Sequence, residues 1–298
     1  MPSDARDARR RAERIRVERV ADGRTDHYYG KADVTVYRLN RDGRAPIGHS
    51  PVFGANVKML VHGGAFWPTY LKGDNTGLIA TDSMKNFIHR ETFAFTDYGL
   101  EDYCRFLGKK FIETYPQVEG LQVSAVEIPY AGEDGGVAFT PSGPDQAFAR
   151  IESTRDGVVE AVSGIRGFRL LRLRGSSFRG FVRDQHTTLA DRPSRVLHMW
   201  LDMEWSYANV DAAFTDGAIT SRTRAIVTDV FTSFESGSIQ QIIHQMGTRI
   251  FADIPEITEL RFEATNRTWD VVAERGEELG VYIDPAPPYG VLGLTLTR

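Results

Sequence analysis

Shifted against itself by 139 residues, this chain of 298 residues aligns two of its own stretches without a gap. The first runs from Gly108 to Pro116 and on to Leu121 and Val123; the second runs from Gly247 to Pro255 and on to Leu260 and Phe262. Phe111 and Ile112 match Ile250 and Phe251, Tyr115 matches Ile254, Val118 matches Ile257, and Ala125 matches Ala264. A duplicated unit restricts the chain to folds made of two similar halves. Before each Pro, apolar residues recur at spacings of three and four: Leu100, Tyr103, Cys104, Leu107 and Phe111, then Ile239, Ile242, Ile243, Met246 and Ile250. That is the spacing of a helix packed on one face. The residue before a proline is biased away from the helical region, and alternation takes over as Leu121-Val123-Ala125 and Leu260-Phe262-Ala264. Val34-Val36 and Val57-Met59-Val61 alternate in the first half; Leu171-Leu173 and the stretch around Leu197 to Trp200 do so in the second. The expectation is an α+β tandem, antiparallel sheets with helices on one face. A boundary is expected within Glu133 to Gln146, where Gly135, Gly136, Pro141 and Pro144 gather. The expected division is an arm over 1–27, then modules over 28–150 and 151–298.

Charge and composition exclude several classes. A formal net charge of −4 argues against nucleic acid as a partner, because phosphate binding needs clustered cations. No apolar run approaches the roughly 18 residues of a membrane span, and no secretory signal opens the chain. Cys104 is the single cysteine and sits in an apolar helical pattern, so it reads as packing in a reducing compartment. The expectation is a cytoplasmic protein with no membrane partner. The first 20 residues hold seven Arg against four acidic residues, and Arg9-Arg10-Arg11 is either a solvated run or a contact for an anionic surface. The seven His show no zinc-type spacing, and neither a phosphate loop nor a Gly-x-Ser-x-Gly turn is present.

The chemistry rests on a few short segments. Tyr29-Gly30-Lys31 opens the first strand, where a partly buried Lys can lose its proton and act as a base. Thr81 and Asp82 precede Met84, Phe87 and Ile88, which follow at helical spacing. A helix start offers free N–H groups to an anionic ring, although Thr81 or Asp82 is equally suited to cap the helix. Phe178 and Arg195 lie seventeen residues apart. A Phe face stacks on a flat heterocycle, and a guanidinium donates two parallel bonds to a carbonyl and an anionic nitrogen. Ser238-Ile239-Gln240 opens the second repeat helix, and a Gln amide can both donate to and accept from a ring edge.

Together these segments resemble the cofactor-free urate oxidases (uricases), from about Tyr28 to the C-terminus. Tyr29-Gly30-Lys31 resembles the family's Tyr-Gly-Lys, and Asp74-Asn75-Thr76 through Ala80-Thr81-Asp82 its Asp-Asn-Ser…Ala-Thr-Asp. The stretch Phe178 to Leu189 is similar to its Phe-x-Gly-Phe-x-Arg-Asp-x-Tyr-Thr-Thr-Leu, and Arg195, Gln240 and Asn266 keep the family's intervals. Tyr289-Gly290-Val291-Leu292 resembles its apolar Gly-Leu-Ile wall. The resemblance implies a tunnelling fold, whose paired modules assemble into a barrel of sheet wrapped by helices. It implies oxidation of urate, or a related purine-like ring, by dioxygen to a 5-hydroxyisourate-type product and hydrogen peroxide, without a cofactor. Lys31 and Thr81 would be catalytic, with Thr268 at the relay position. Asp82, Phe178, Arg195, Ile239, Gln240, Asn266 and Leu292 would bind substrate, with Asn266 holding dioxygen or water above the ring. The active form would be a homotetramer, with Lys31 and Thr81 of one subunit facing Phe178, Arg195, Gln240 and Asn266 of its neighbour.

Three departures mark this chain. Arg179 and His186 stand where the family has Trp and Tyr, and Asn266-Arg267-Thr268 stands where it has Asn-Lys-His. A Thr hydroxyl has no acid or base function near neutrality and can only pass a hydrogen bond along. His244, one turn after Gln240, shares its face and can offer an imidazole. Two other readings stand beside the oxidase. One is a purine-binding pseudoenzyme that keeps the ring grip. The other is a hydrolase or cyclase of the same fold acting on a pterin-like ring, with Glu101, at the repeat position of Gln240, as its anchor.

Overall fold

A computed structural model describes residues 18–20, 23–25, 27–46, 49–132, 136–191, 193–215, 217–276 and 278–298; the Arg9-Arg10-Arg11 run lies outside them. The chain divides into two compact units. Unit 1 takes the described residues up to Ser163 together with Tyr207–Gly217, and unit 2 takes Gly164–Ser206 and Ala218–Arg298. Residues 150 and 151 lie inside one strand of unit 1, and the division itself falls inside the next strand.

Unit 1 begins with the short antiparallel pair β1 (Glu18–Val20) and β2 (Gly23–Thr25). It continues through β3 (Tyr29–Leu39), β4 (Val52–His62), α1 (Trp67–Lys72), α2 (Thr81–Ala94), α3 (Leu100–Thr114) and β5 (Gly120–Glu127). The small pair β6 (Tyr130–Gly132) and β7 (Phe139–Pro141) precedes β8 (Gln146–Thr154) and the first part of β9 (Gly157–Arg172). Its strands run in the order β8-β5-β4-β3, every neighbouring pair antiparallel. The short α4 (Ala212–Thr215) also belongs to it. Unit 2 holds the rest of β9, most of β10 (Leu197–Tyr207), α5 (Ile219–Ser233), α6 (Ile239–Asp253), β11 (Ile257–Asn266), the pair β12 (Asp270–Arg275) and β13 (Leu279–Ile283), and β14 (Gly290–Thr297). Its strands run β14-β11-β10-β9, with β11 and β14 antiparallel.

The repeat is visible atom by atom. Helices α3 and α6 begin and end at the same offset of 139, Leu100 with Ile239 and Thr114 with Asp253. Tyr115 N donates to Phe111 O and Val118 N to Tyr115 O; Ile254 N donates to Ile250 O and Ile257 N to Ile254 O. Tyr115 and Ile254 leave the helical region because Pro116 and Pro255 follow them. The repeated glycines mark close helix–sheet contact. A Cβ on Gly108 would meet Ser153 at 3.4 Å, and one on Gly247 would stand 2.3 Å from Leu296 Cδ1 and 3.2 Å from Phe262. Each unit also ties off its repeat helix with an arginine. Arg155 donates to the carbonyls of Tyr115, Pro116 and Val118, and Arg298 to those of Phe251, Ile254 and Ile257. These carbonyls lack helical partners, so the guanidiniums replace water there.

The cores follow the alternation. In unit 1, Val57, Met59, Val61, Leu121, Val123, Ala125 and Ile151 are buried beneath Tyr103, Cys104, Leu107 and Phe111 of α3. Each large apolar side chain so buried contributes about 1.5–3 kcal/mol. Burial also pushes the Cys104 thiol well above its ordinary pKa, so it packs as a hydrophobe. In unit 2, Leu197, Met199, Leu201, Met203 and Trp205 alternate inward along β10, and Ile239, Ile242, Ile243, Met246 and Ile250 are buried along α6. Leu171 is the penultimate residue of β9, and Leu173 lies beyond its end with 71% of its surface exposed.

Candidate functional site

In unit 1, the Tyr29-Gly30-Lys31 segment organises the loop before α2. The Tyr29 hydroxyl accepts the Ile79 N–H at 2.9 Å, fixing the loop that leads into Thr81. Burial raises the Tyr29 pKa, so the hydroxyl stays protonated while it accepts that bond. The loop also folds on itself: Asp74 Oδ1 accepts Thr76 N at 3.0 Å and Thr76 Oγ1 at 2.6 Å, and Leu78 N donates to Asn75 O. Gly30 lies hard against β4, where a Cβ would fall 1.8 Å from the Met59 carbonyl oxygen. Lys31 pairs with Met59 and is the last residue before a bulge that spans to Val34. Asp33 inside the bulge has φ 57, the one positive value at a non-glycine residue described. The bulge re-aims the strand immediately after the lysine, which is half-buried.

Thr81 is the first residue of α2, whose N-cap, Ala80, makes no side-chain cap bond. Neither Thr81 nor Asp82 therefore caps the helix, and the Thr81 hydroxyl has no partner among the described residues. The first N–H groups of α2 and this hydroxyl stay open. The Asp82 carboxylate is turned along its own helix, bonded by Lys85 Nζ at 2.5 Å and Asn86 Nδ2 at 3.1 Å. Lys85 is the main cause of its lowered pKa, with a smaller Coulomb contribution from Lys31.

In unit 2, Arg172 is the organiser. Its guanidinium donates to the carbonyls of Phe231 and Phe234, both at 2.8 Å, and to the hydroxyls of Ser176 and Ser236. Ser177 N donates to Ser236 O and Ser236 N to Gly175 O, while Arg195 N donates to Ser176 O, each at 2.8–2.9 Å. The segment leading to Phe178, the backbone of Arg195 and the residues just before α6 are thereby joined at one place. Arg195 carries its guanidinium 5.5 Å from the centre of the Phe178 ring. Its Nε is buried without a partner, and burial pulls its pKa below the ordinary arginine range. One face of Phe178 lies parallel to Phe181, with ring centres 5.1 Å apart. The loop beyond it is knotted by Asp184, which accepts His186 N at 2.8 Å, and by an Arg183–Asp191 ion pair at 3.1 Å.

Helix α6 opens with a pair of bonds like a capping box, the return bond falling on the residue before the cap. Ser238 Oγ accepts Gln241 N at 3.1 Å, and the Gln241 side chain accepts Gly237 N at 2.8 Å. Ile242 N already bonds Ser238 O, which leaves the N–H groups of Ile239 and Gln240 at the open end. The Ile239 side chain is buried in the core, so only its backbone N–H is open at the helix start; the Gln240 side chain is exposed. His244 is exposed one turn further along. At the end of β11, Asn266 pairs with Gly290, and Ala264 pairs with the half-buried Leu292. Thr268 Oγ1 donates to Asn266 Oδ1 at 2.6 Å. That bond takes up the amide oxygen and leaves the amide N–H groups free to donate elsewhere.

The structure thus brings Tyr29, Lys31, Thr81 and Asp82 into one neighbourhood in unit 1. In unit 2 it joins Phe178, Arg195 and the start of α6, and it couples Asn266 to Thr268. No direct hydrogen bond links Arg195, Gln240 and Asn266 among the described residues, so their donors remain free for a ligand. Glu101 is used differently: its buried carboxylate accepts Ser163 Oγ at 2.6 Å, and Ser163 in turn accepts the Tyr207 hydroxyl at 2.8 Å. Burial is the main cause of its raised pKa. No group of three or more His, Cys, Asp or Glu among the described residues is arranged to hold a metal ion. Sequence reasoning missed Tyr29 and Arg172 as organisers. Tyr29 sat inside a recognised motif, but Arg172 carried no signal, because its partners are backbone carbonyls and serines.

A family model described as Uricase matches residues 161–292. A uricase from Haloferax volcanii is 34% identical over 304 residues, covering 91% of this chain and 97% of that protein. A uric acid degradation bifunctional protein from Bacillus sp. strain TB-90 is 35% identical over 301 residues, covering 91% of this chain. The chain spans about 60% of the length of that bifunctional relative. Among solved structures, a uricase from Bacillus fastidious superimposes with a TM-score of 0.81 at 32% identity, covering 92% of this chain and 94% of that one. The α+β architecture expected from the repeat is the fold of these structures.

Proposed function

The chain belongs to the uricase family, and we propose that it oxidises urate, or a closely related purine-like ring, with dioxygen. The observation that carries this reading is Arg195, half-buried with a shielded, unpartnered Nε beside Phe178, and stapled through Ser176 and Ser236 to the open N-terminus of α6. A planar anion suits that arrangement: the fork reads a carbonyl and an anionic nitrogen, Gln240 reads the other edge, and Phe178 meets the ring face. The proposed reaction is urate + O2 + H2O → 5-hydroxyisourate + H2O2. The ring, held as an electron-rich anion, gives two electrons to dioxygen; a ring hydroperoxide forms, and water displaces peroxide from it. The substrate supplies the reducing power, and the protein supplies orientation and a fixed electrostatic environment.

In this proposal Lys31 and Thr81 move the protons. Lys31 is half-buried at a bulge, and the Thr81 hydroxyl is free at a helix start. Asn266 holds dioxygen or water above the ring, and Thr268 orients Asn266 rather than relaying a proton. Asp82 contributes charge near Lys31 rather than a direct bond to the ring. Ile239 acts through its backbone N–H, and Leu292 forms part of the apolar wall. Because unit 1 and unit 2 each carry part of this set, the proposed active form is a homotetramer in which residues of neighbouring subunits meet. No helix among the described residues is long and apolar enough to cross a membrane, and a cytoplasmic location is proposed with the enzyme.

The test is urate-dependent oxygen uptake by purified, metal-stripped protein. Uptake with loss of urate absorbance supports an oxidase. Tight urate binding without oxygen use would instead indicate a purine-binding protein.

A further inference from the structure

Unit 2 holds a second polar cluster on its sheet. Side chains alternate along β10, so His198 and Trp200 point to the face opposite the buried Leu197, Met199 and Leu201. Arg169 and Arg267 both lie against Trp200, their guanidinium carbons 4.3 and 4.2 Å from the ring centre. Arg267 also lies 3.5 Å from the Tyr289 ring centre. Neither arginine has a carboxylate partner among the described residues. The nearest acids on β10 are engaged elsewhere: Glu204 pairs with Arg166, and Asp202 accepts the Gly167 N–H at 2.7 Å.

Three ring nitrogens in this cluster, His198 Nδ1, Trp200 Nε1 and Trp269 Nε1, are shielded from solvent and have no hydrogen-bond partner. The His198 ring centre lies 5.4 Å from that of Trp269 and 6.5 Å from that of Trp200. Burial and the positive charge of Arg169 hold His198 below its usual pKa, opposed by a hydrogen bond to the Arg267 backbone and, less, by Asp284. The two indole N–H groups can only donate. Shielded indole donors without acceptors, beside two arginines that no carboxylate pairs with, mark a place where an acceptor is missing.

We propose that this cluster binds a phosphate-class oxyanion, either inorganic phosphate or the phosphate group of a small metabolite. Such an anion offers several acceptor oxygens at once and neutralises the arginine pair, and forked guanidiniums suit it geometrically. A carboxylate or nucleobase ring would leave part of this donor set unmet. Arg267 lies in the chain between Asn266 and Thr268, so the cluster adjoins the turn that carries them.

Two of the four tryptophans lie in the cluster, so indole fluorescence reads it directly. The native protein is titrated with inorganic phosphate and, separately, with a mononucleotide, at fixed pH and ionic strength with chloride as the balancing anion. The expected result is a saturable fluorescence change with a matching rise in Tm. Arg169→Gln, shown to be folded by circular dichroism, is expected to weaken the response at least tenfold, whereas Arg195→Gln keeps it. A mononucleotide midpoint at least tenfold below that of phosphate assigns the metabolite source; equal midpoints assign free phosphate. No saturable response to either anion would overturn the proposal. So would a response lost in Arg195→Gln but kept in Arg169→Gln, which would place the anion in the urate pocket.

Discussion

Changing Thr268 to Val removes one hydroxyl and keeps the shape of the side chain. In the structure that hydroxyl donates to Asn266 Oδ1 at 2.6 Å, and both residues are half-buried at the end of β11. A neutral hydrogen bond of this kind contributes about 0.5–1.5 kcal/mol net. If its role is to orient the Asn266 amide over the ring, the loss appears in the transition state as roughly a 2- to 13-fold fall in kcat/KM. The assay follows urate absorbance and oxygen uptake with urate and dioxygen varied independently. The effect is expected in kcat and in the dependence on dioxygen, with urate KM within about twofold of native, because in the proposed site Arg195 and Gln240 still hold the ring. Thr268→Ser keeps the donor and is expected to restore activity to within about twofold. A Val variant as active as the native enzyme, or a Ser variant as poor as Val, would refute the orienting role.

Other consequences rest on the architecture of unit 1. Gly30→Ala would set a Cβ 1.8 Å from the Met59 carbonyl oxygen, so β3 must shift; a loss of about 3 kcal/mol in urea unfolding is expected, and a stability unchanged from native would contradict the contact. Tyr29→Phe leaves the Ile79 N–H without its acceptor and should cost about 1–3 kcal/mol, together with urate turnover, since the same bond sets the approach to Thr81. Glu101 has a folded-state pKa raised by burial, so its contribution to stability is complete below its ordinary pKa of 4.5 and is lost as pH rises through the folded value. Glu101→Gln keeps an acceptor for Ser163 and should flatten the fall of Tm on the alkaline side; identical Tm–pH curves for variant and native protein would show that the buried acid plays no such part.

What the sequence carried was periodic or local. The match of Gly108 with Gly247 and Pro116 with Pro255 anticipated α3 and α6, because close helix–sheet packing needs a small residue and a proline ends a helix predictably. Alternation along Val57-Met59-Val61 and Leu260-Phe262-Ala264 was legible for the same reason: burial on one face leaves a period of two. Contacts made to backbone atoms left no such trace. Arg155 and Arg298 tie equivalent carbonyls in the two units, yet they sit 143 residues apart and break the 139-residue offset. The Tyr29–Ile79 bond spans 50 residues and joins two motifs that sequence reasoning treated separately. For Asp82, the sequence could not say whether the carboxylate faces a ligand or its own helix; Lys85 and Asn86, three and four residues on, hold it along the helix surface. From sequence, the Thr268 hydroxyl can only pass a hydrogen bond along; its direct bond to Asn266 points to an orienting task instead.

The most direct test of the account is oxygen consumption by the purified, metal-stripped protein under air, with urate as the sole reductant. The account predicts stoichiometric uptake of dioxygen with loss of urate and appearance of hydrogen peroxide, falling sharply in Arg195→Gln. Absence of oxygen uptake in folded native protein that still binds urate would contradict it.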